Sequence, residues 1–276
     1  GLYELDGLSN MKKHILKTPF GKTSDKILSA KYKNIDVYFL PRHNKNHNVA
    51  PHKINYRANI YAFKMLGVTD VISVSAVGSL KNELKPGSLV LIDQFIDRTT
   101  TRNNTFFDGT CVAHVSMAKP VSSQLLELIY QSRKNSVKIK KGGTYIAIEG
   151  PQFSTLAESL LYKSWKCDVI GMTNMPEAKL AREAELGYAS IAMVTDYDCW
   201  HKGHDNVTVA QIISIMKKNT SSVKTLLKSI FENLNNKKKW NWKDSIYNCL
   251  NDAIITDKKN ISKEDKKKLY IFLKRK

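Results

Sequence analysis

The sequence lacks the features that mark membrane-spanning, secreted and disulfide-rich proteins. No run approaches the roughly 18 consecutive apolar residues that span a bilayer, and the first ten residues, GLYELDGLSN, lack the pattern of a signal peptide. The four cysteines have no CxxC spacing, which argues against a disulfide scaffold and against a structural zinc site. We therefore expect a soluble, cytoplasmic protein with no metal and no membrane partner.

Arginine is scarce, although the chain is strongly basic. The 276 residues carry a formal net charge of +19, yet only 7 of the 44 basic residues are Arg. Surfaces that read bases or grip phosphates favour the planar fork of Arg over Lys. Residues 216–276 carry +11 of the excess charge, outside the motifs described below. We interpret the charge as a solvated, lysine-rich surface rather than as a nucleic-acid site.

Short apolar strands alternate with helices over the first 200 residues. The predicted strands are Ile35–Leu40, Asp70–Ser75, Leu89–Ile92, Gly143–Ile148 and Tyr188–Val194. The predicted helices are Asn55–Leu66, Gln124–Ser132, Ala157–Trp165, one beginning at Pro176, Val209–Leu227 and Lys267–Leu273. This pattern predicts an α/β three-layer sandwich, with a central mixed β-sheet flanked by helices and a helical C-terminal region. We expect one domain over residues 1–276, with a Lys/Asn-rich helical tail at 230–276.

Polar residues at strand ends are candidate ligands, because ligands of open α/β sheets bind where strands end. Arg42 and His43 follow the first predicted strand, and together they could hold a dianion such as phosphate. Ser75 begins a small-residue turn that could form an anion-binding nest, and Thr173 precedes a helix N-terminus, which also favours an anion. A surface turn, a common Gly-Ser turn and simple helix capping remain the alternative interpretations of these segments.

Two carboxylates, Asp196 and Asp198, follow the last predicted strand. In a semi-apolar cleft such a carboxyl group has a raised pKa and can donate a proton, while its neighbour fixes its orientation. Carboxylates after strands also bind Mg²⁺. Against a metal site, no third carboxylate lies at a related strand end.

These segments share their order and residue types with one family. They are Arg42-His43, Asn55–Asn59, Ser75–Leu80, Asp93–Thr99, Glu149–Ser154, Gly171–Glu177 and Thr195–Trp200. From about Thr18 to Trp200 the chain resembles the S-methyl-5′-thioadenosine phosphorylases of the purine nucleoside phosphorylase superfamily, and Ala253–Asp257 resembles their bacterial and archaeal branch. The resemblance implies the nucleoside phosphorylase fold and phosphorolysis of methylthioadenosine to adenine and 5-methylthioribose 1-phosphate. Phosphate is then a co-substrate, and no cofactor is implied.

The resemblance also implies roles for individual residues. The phosphate ligands would be Arg42, His43, Ser75, Thr173 and the backbone N–H of Ala76. The nucleoside would meet Met172 under the ribose, Phe153 and Ser154 at the purine, Asp196, Tyr197 and Asp198 at N7 and the 6-amino group, and Val209 and Ile212 at the methylthio group. Asp196 and Asp198 would be the catalytic pair, with Asp196 as general acid at N7. His114 matches a residue that the family contributes to a neighbouring subunit, which implies a homo-oligomer, usually a trimer.

Several alternatives stay open on the sequence. A 6-oxopurine or methylthioinosine phosphorylase, a hydrolytic nucleosidase and an inactive or truncated binding homologue share parts of the pattern. Val209 and Ile212 also fit an ordinary helix core. Family members begin with a strand and a Gly-rich phosphate loop that precede the segment matching Gly1 here, so we expect that strand and loop to be missing from these residues.

Overall fold

The computed structural model of the chain describes residues 2, 4–134, 137–201, 209–236 and 245–274, without the side chains of 209–212 and 236. Its strands are β1 (Leu8–His14), β2 (Lys17–Thr18), β3 (Gly21–Lys22), β4 (Ile27–Tyr32), β5 (Ile35–Phe39), β6 (Asp70–Ser79), β7 (Leu89–Ile92), β8 (Gln94–Arg98), β9 (Ile139–Lys141), β10 (Thr144–Ile148), β11 (Val169–Gly171) and β12 (Gly187–Asp196). Its α-helices are α1 (Tyr56–Met65), α2 (Ser123–Gln131), α3 (Leu156–Ser164), α4 (Glu177–Glu183), α5 (Val209–Asn236), α6 (Lys263–Lys268) and α7 (Tyr270–Leu273).

A mixed seven-stranded sheet forms the middle of the molecule, in the order β8-β10-β11-β6-β12-β7-β9. The pairs β8–β10, β10–β11, β6–β12 and β7–β9 are parallel, whereas β6–β11 and β7–β12 are antiparallel. Strand β6 pairs with β12 along most of its length, but with β11 only at Gly78 and Ser79. The predicted α/β class with a central mixed sheet is confirmed.

Strand β12 is the longest buried strand of the central sheet, and helices pack against it in two groups. Helices α2 and α5 contact each other and β12, while α4 contacts both β12 and α1. Nine of the ten residues of β12 are buried. A strand covered on both faces needs apolar residues at nearly every position, which explains why the run Tyr188–Val194 could be recognised as a strand from its composition.

Residues 245–274 pack back onto the same core. Leu250, Ile261, Leu269 and Phe272 are buried in the main hydrophobic cluster, and an isolated bridge pairs Ala113 with Ile254. Helix α6 is highly basic on its exposed side, as the tail composition indicated. That the whole chain forms one domain remains a prediction.

Local sequence patterns predicted several boundaries of strands and helices correctly. Strand β7 has the predicted bounds, and α3 begins behind Thr155 with the predicted capping box, in which Thr155 and Glu158 bond each other's backbone N–H groups. The predicted helix start at Pro176 is wrong by one residue, since Pro176 is the N-cap and α4 begins at Glu177. The predicted helix Lys267–Leu273 is two short helices that meet at Leu269.

Among the helices that the structure describes, none is long and apolar enough to cross a membrane.

Candidate active site

Arg42 forms the centre of the predicted anion site at the end of β5. Its guanidinium donates from one terminal nitrogen to Ser73 Oγ (2.7 Å) and Glu177 Oε1 (2.8 Å). The other terminal nitrogen donates to the Val74 carbonyl (2.7 Å) and Ser75 Oγ (2.9 Å). These four bonds use all four terminal N–H groups. An anion that binds Arg42 must therefore take over one of these bonds or approach its remaining N–H.

Ser75 and Thr173 lie together beside Arg42, as predicted. Their hydroxyl oxygens are 3.3 Å apart, and Ser75 Oγ also donates to Asn174 Oδ1 at 2.8 Å. All three side chains are buried. We call Arg42, Ser75, Thr173, Asn174 and Glu177 the anion cluster.

The other two predicted phosphate ligands stand next to the cluster in the chain. His43 Nδ1 bonds the Val49 carbonyl at 2.8 Å, and its ring stacks on His47. Burial lowers the pKa of His43, so the neutral ring donates through Nδ1 and leaves Nε2 as an acceptor. Ala76 follows Ser75 on β6, where it is paired with Met193 of β12.

Asp196 and Asp198, the predicted catalytic pair, come together at the end of β12. Asp196 Oδ1 accepts from the Asp198 backbone N–H (2.9 Å), and its Oδ2 accepts from Thr195 Oγ1 (2.7 Å). Asp198 Oδ2 accepts a short hydrogen bond from Ser159, a fully buried residue of α3. A register shift between Val194 and Asp196 marks a bulge at Thr195, and such bulges re-aim side chains near active sites.

The two carboxyl groups of the pair are protonated more easily than those of ordinary aspartates. Burial raises the pKa of both Asp196 and Asp198, and the negative charge of Asp196 raises that of Asp198 further. Within the described residues neither carboxylate has an ion pair with Lys or Arg. The arrangement therefore favours the protonated form of both carboxyl groups relative to exposed aspartates, and a carboxyl group that holds a proton can release it to a nearby base.

Strand β6 connects the anion cluster to the carboxylate pair. Ser75 belongs to the cluster, and Gly78, three residues further on, lies against the pair. A Cβ atom at Gly78 would stand 2.9 Å from Asp196 Oδ1 and 3.3 Å from Asp198 Cβ, so only glycine fits here without a shift. Three residues of strand span about 10 Å, so the backbone positions beside the two groups are separated by a distance of that order.

The loop before α3 lies on the other side of the carboxylate pair. Cys199 Sγ contacts the Ser154 carbonyl at 3.4 Å, and Ser154 Oγ is a buried atom with no hydrogen-bond partner in the described part of the chain. Phe153 is 59% exposed. An unpaired hydroxyl and an exposed ring beside two carboxylates suit a flat, polar, aromatic ligand.

Met172 stands between this loop and the anion cluster. A Cβ at Gly150 would be 2.5 Å from Met172 Sδ, and Gly150 has a φ of +67°. Both the backbone conformation and the close approach require glycine at this position. Met172 directly precedes Thr173, so a ligand along this edge would touch the sulfur before reaching the cluster.

Four predicted substrate residues are not joined to these groups by a described contact. Tyr197 donates its hydroxyl to the Asn82 carbonyl at 3.2 Å. His114 is exposed, and its backbone N–H bonds the Ala253 carbonyl. Val209 and Ile212 are in the first turn of α5, and their side chains lie outside the described residues.

Five residues with contacts to the site were not singled out as site residues from the sequence. Glu177 forms an ion pair with Arg42, and Glu177 Oε1 also accepts from the Tyr188 hydroxyl at 2.9 Å. Thr195 and Ser159 hold the carboxylate pair, and Arg102 bonds the Met172 carbonyl at 2.6 Å. Each of these contacts except that of Thr195 joins distant parts of the chain, so no local spacing signals it.

The residues described in the structure contain no group of three or more His, Cys, Asp or Glu side chains that could hold a metal ion. The donor set of the site consists of hydroxyls, amides, one guanidinium and three carboxylates, which suits an anion and a polar base.

Comparison with known proteins identifies similar chains over nearly the full length. The model of the "Phosphorylase superfamily" matches residues 3–232. The S-methyl-5′-thioadenosine phosphorylase of Rhodospirillum rubrum is 48% identical over 263 residues, which cover 94% of this chain and 89% of that protein. That of Geobacter sulfurreducens is 46% identical, covering 99% of this chain and 95% of its own length.

Solved structures that are similar to this chain are also of methylthioadenosine phosphorylases. A methylthioadenosine phosphorylase from an antarctic soil metagenomic library has a TM-score of 0.93 and 41% identity, with 99% of this chain and 96% of that chain covered. The methylthioadenosine phosphorylase of Schistosoma mansoni in complex with adenine has a TM-score of 0.82 and 33% identity, over 87% of this chain and 91% of that chain.

Proposed function

This chain belongs to the phosphorylase superfamily, and from that premise we propose that it catalyses the phosphorolysis of S-methyl-5′-thioadenosine. Phosphate and the nucleoside are the substrates, and adenine and 5-methylthioribose 1-phosphate are the products. Relatives with this activity in their names match 94–99% of the chain. The reaction makes the chain a pentosyltransferase that uses phosphate as a co-substrate and requires no cofactor.

One observation carries the proposal in this chain's own geometry. Strand β6 carries Ser75 of the anion cluster and, three residues further on, Gly78, which lies against the pair of protonatable carboxylates. Three strand residues span about 10 Å. Phosphate attacks C1′, to which N9 of the purine is bonded, so the phosphate and the far edge of the purine lie on opposite sides of that one carbon at a separation of this order. The spacing therefore fits a nucleoside lying along the strand end with phosphate at one side.

At the base end, Asp196 donates a proton to N7 of the purine as the bond between C1′ and N9 breaks. Adenine then leaves as a neutral molecule, and the carboxylate of Asp196 keeps the bonds from Thr195 and the Asp198 N–H. Asp198 accepts from the 6-amino group, with Ser159 fixing its other oxygen. General acid catalysis of this kind contributes about 10²–10⁴-fold.

At the phosphate end, a phosphate oxygen forms the new bond to C1′. The hydroxyls of Ser75 and Thr173, the Ala76 N–H and Arg42 hold the dianion, while His43 accepts from its protonated oxygen through Nε2. Arg42 stays paired with Glu177 during the reaction and shifts its Ser75 bond to the phosphate. Met172 supports the ribose, and Phe153 and Ser154 cover the purine.

The carboxylate pair favours adenine over 6-oxopurines. A carboxylate accepts from a 6-amino group, but it repels a 6-carbonyl oxygen. Val209 and Ile212 are proposed to form the apolar wall around the methylthio group, and Tyr197 contributes its backbone between the two carboxylates.

The test is adenine release from methylthioadenosine by the purified chain, with and without phosphate. We expect release only with phosphate, and 5-methylthioribose 1-phosphate in equal amount. Release without phosphate would instead make the chain a nucleosidase. The same assay with methylthioinosine measures the base preference, for which we expect a much lower rate.

We further propose that the chain forms a homotrimer in which His114 reaches a neighbouring subunit. Helix α3 exposes a row of apolar side chains beside the site, among them Leu156, Leu160 and Trp165. Next to His114, Val112 and Ile255 are also exposed. Exposed apolar patches of this kind mark protein interfaces. Sedimentation analysis should give three times the 31.3 kDa chain mass, and a monomer would contradict the proposal.

The single domain over 1–276 and the cytoplasmic location also remain proposals. Limited proteolysis tests the first: because Leu250, Ile261 and Phe272 are buried in the main hydrophobic cluster, we expect residues 245–274 to resist cleavage together with the rest of the core. Cell fractionation tests the second.

A further inference from the structure

Arg102 is a buried arginine whose contacts join two separate loops of the site. Its side chain is 2% exposed. One terminal nitrogen donates to the carbonyls of Met172 (2.6 Å) and Met175 (2.7 Å). The other donates to the carbonyl of Glu149 (2.6 Å) and, more weakly, to that of Ile148 (3.3 Å). The two loops are more than 20 residues apart in the chain.

The loops on either side of Arg102 carry different halves of the proposed site. Residues 148–150 lead directly into Phe153 and Ser154, which cover the purine. Residues 172–175 include Met172 and Thr173, which hold the ribose and the phosphate. The guanidinium therefore spans the gap between base binding and phosphate binding through backbone groups of both loops.

The rest of the guanidinium is also occupied. Arg102 Nε donates to Glu149 Oε1 at 2.9 Å, and the nitrogen that bonds Met172 also reaches the Tyr56 hydroxyl at 3.0 Å. Five N–H groups thus serve six acceptors, so one hydrogen is shared. Lysine has three donors on a single atom and cannot reproduce this planar fork.

Glu149 anchors the same unit to a third segment. Its Oε2 accepts from the backbone N–H groups of Thr100 and Thr101. Burial raises the pKa of Glu149, but these bonds and Arg102 outweigh it and lower that pKa to about 2. The pair is therefore fully charged at neutral pH, and the charge of Arg102 is balanced.

We propose that Arg102 is a positioning residue that fixes the separation of the base-binding and phosphate-binding loops. It does not touch the reacting atoms, because its side chain is 2% exposed and its Nε–H, unlike that of Arg42, is also bonded to a protein group. Its effect on the reaction is geometric, since displacement of catalytic groups by about 1 Å can cost about 10²-fold in rate. This inference rests on the proposed phosphorolysis.

The experiment compares Arg102→Ala and Arg102→Lys with the full-length wild type. We expect kcat/KM to fall about 10²-fold in Arg102→Ala, with the KM values for both phosphate and methylthioadenosine raised together. Added guanidinium ion should restore both KM values in that variant by filling the vacated space. Arg102→Lys keeps the charge and the packing, and we expect it to lose most of the activity as well.

Arg57→Ala is the matched control. Arg57 is a partly buried arginine that pairs with Asp108 and the Thr105 carbonyl, and neither belongs to the two loops. We expect this variant to lower the melting temperature while leaving both KM values unchanged, with no rescue by guanidinium.

Two results would overturn the inference. One is wild-type KM values in Arg102→Ala or in Arg102→Lys at a temperature where the variant is folded. The other is guanidinium raising the melting temperature of Arg102→Ala without lowering either KM. Failure of the proposed function is recognised separately, because then the wild type itself shows no phosphate-dependent release of adenine.

Discussion

The anion cluster and the carboxylate pair lie near the end of the same strand but handle charge in opposite ways. In the cluster, Arg42 and Glu177 form a buried ion pair at 2.8 Å, so a fixed positive charge is held in place by a fixed negative one. The carboxylate pair has no cation within the described structure, and burial raises the pKa of both groups.

The contrast in charge explains how one small site can serve two chemical tasks. Phosphate is an anion throughout the reaction, so its ligands need permanent charge and permanent donors. The purine needs a proton for a short time only, so its ligands need a group that gains and loses charge. Changes at the two ends should therefore differ in kind, with losses of binding and stability at one end and losses of proton transfer at the other.

The largest effect is expected when the ion pair of the cluster is broken. Arg42→Met leaves Glu177 buried without its cation, which should cost about 3–5 kcal/mol of unfolding free energy and abolish phosphate-dependent turnover. Denaturant unfolding and phosphate titration measure the two losses. The double variant Arg42→Met/Glu177→Gln removes both charges and should regain most of the stability but none of the activity. A double variant as unstable as the single one would show that charge is not the cause.

Next in size is Asp196→Asn at the base end. The amide cannot donate the catalytic proton with the strength of a carboxyl group, so kcat for methylthioadenosine should fall about 10²–10⁴-fold. The melting temperature should not fall, because the change removes a buried carboxyl group. Asp36→Asn, at an exposed aspartate of β5, is the control and should have no effect. Activity within tenfold of the wild type would remove Asp196 from its role.

The pH dependence of stability should distinguish the carboxylate pair from carboxyl groups with a lowered pKa. Because the folded-state pKa of Asp196 and Asp198 lies above the unfolded value, their contribution to stability is greatest at low pH and is lost as pH rises through the folded pKa. Glu149, with its pKa lowered to about 2, behaves oppositely and loses its contribution as pH falls from about 4.5 toward 2.

Melting curves across pH, compared between the wild type and Asp196→Asn/Asp198→Asn, measure this contribution. We expect the stability of the double variant relative to the wild type to increase with pH and then level off. An unchanged difference at all pH values would mean that the pair is charged throughout.

The smallest expected effect is that of Ser159→Ala. The change removes the donor to Asp198 and leaves that oxygen buried, which should cost about 1.5–3 kcal/mol in stability or in binding of the 6-amino group. We expect the ratio of methylthioadenosine to methylthioinosine turnover to fall, with the phosphate KM unchanged. Ser164→Ala, at an exposed serine of the same helix, is the control. A rise in phosphate KM would contradict the division between the two ends.

Local sequence patterns were sufficient for much of the sheet, and the roles of the site residues stay predictions that rest on the family resemblance. Strand β7 and the first turn of α3 were predicted because their signals lie within a few residues. Ser75 and Thr173 were expected to act together, and their hydroxyls are 3.3 Å apart. The end of strand β11 at Gly171 was predicted without its start, and the exposed strand β1 was missed because it shows no usable periodicity.

The contacts that organise the site were not predictable in the same way. Glu177 is 135 residues from Arg42, and Arg102 is 70 residues from Met172. Such pairs depend on how the tertiary fold brings β5, β6 and α4 together, since β5 and β6 belong to different sheets. Sequence patterns within one segment contain no information on these distances, so the ligands were predicted but the residues that hold them were not.

The two faces of helix α3 make different contacts, and this couples two binding equilibria. Its outer face exposes Leu156 and Leu160, whereas Ser159 on its inner face bonds Asp198. A protein that binds the outer face and shifts the helix changes the affinity of the site for the purine. By reciprocity, the purine changes the affinity for that protein by the same factor. If that protein is another subunit, substrate binding and subunit association are coupled equilibria, and the specific activity depends on the protein concentration.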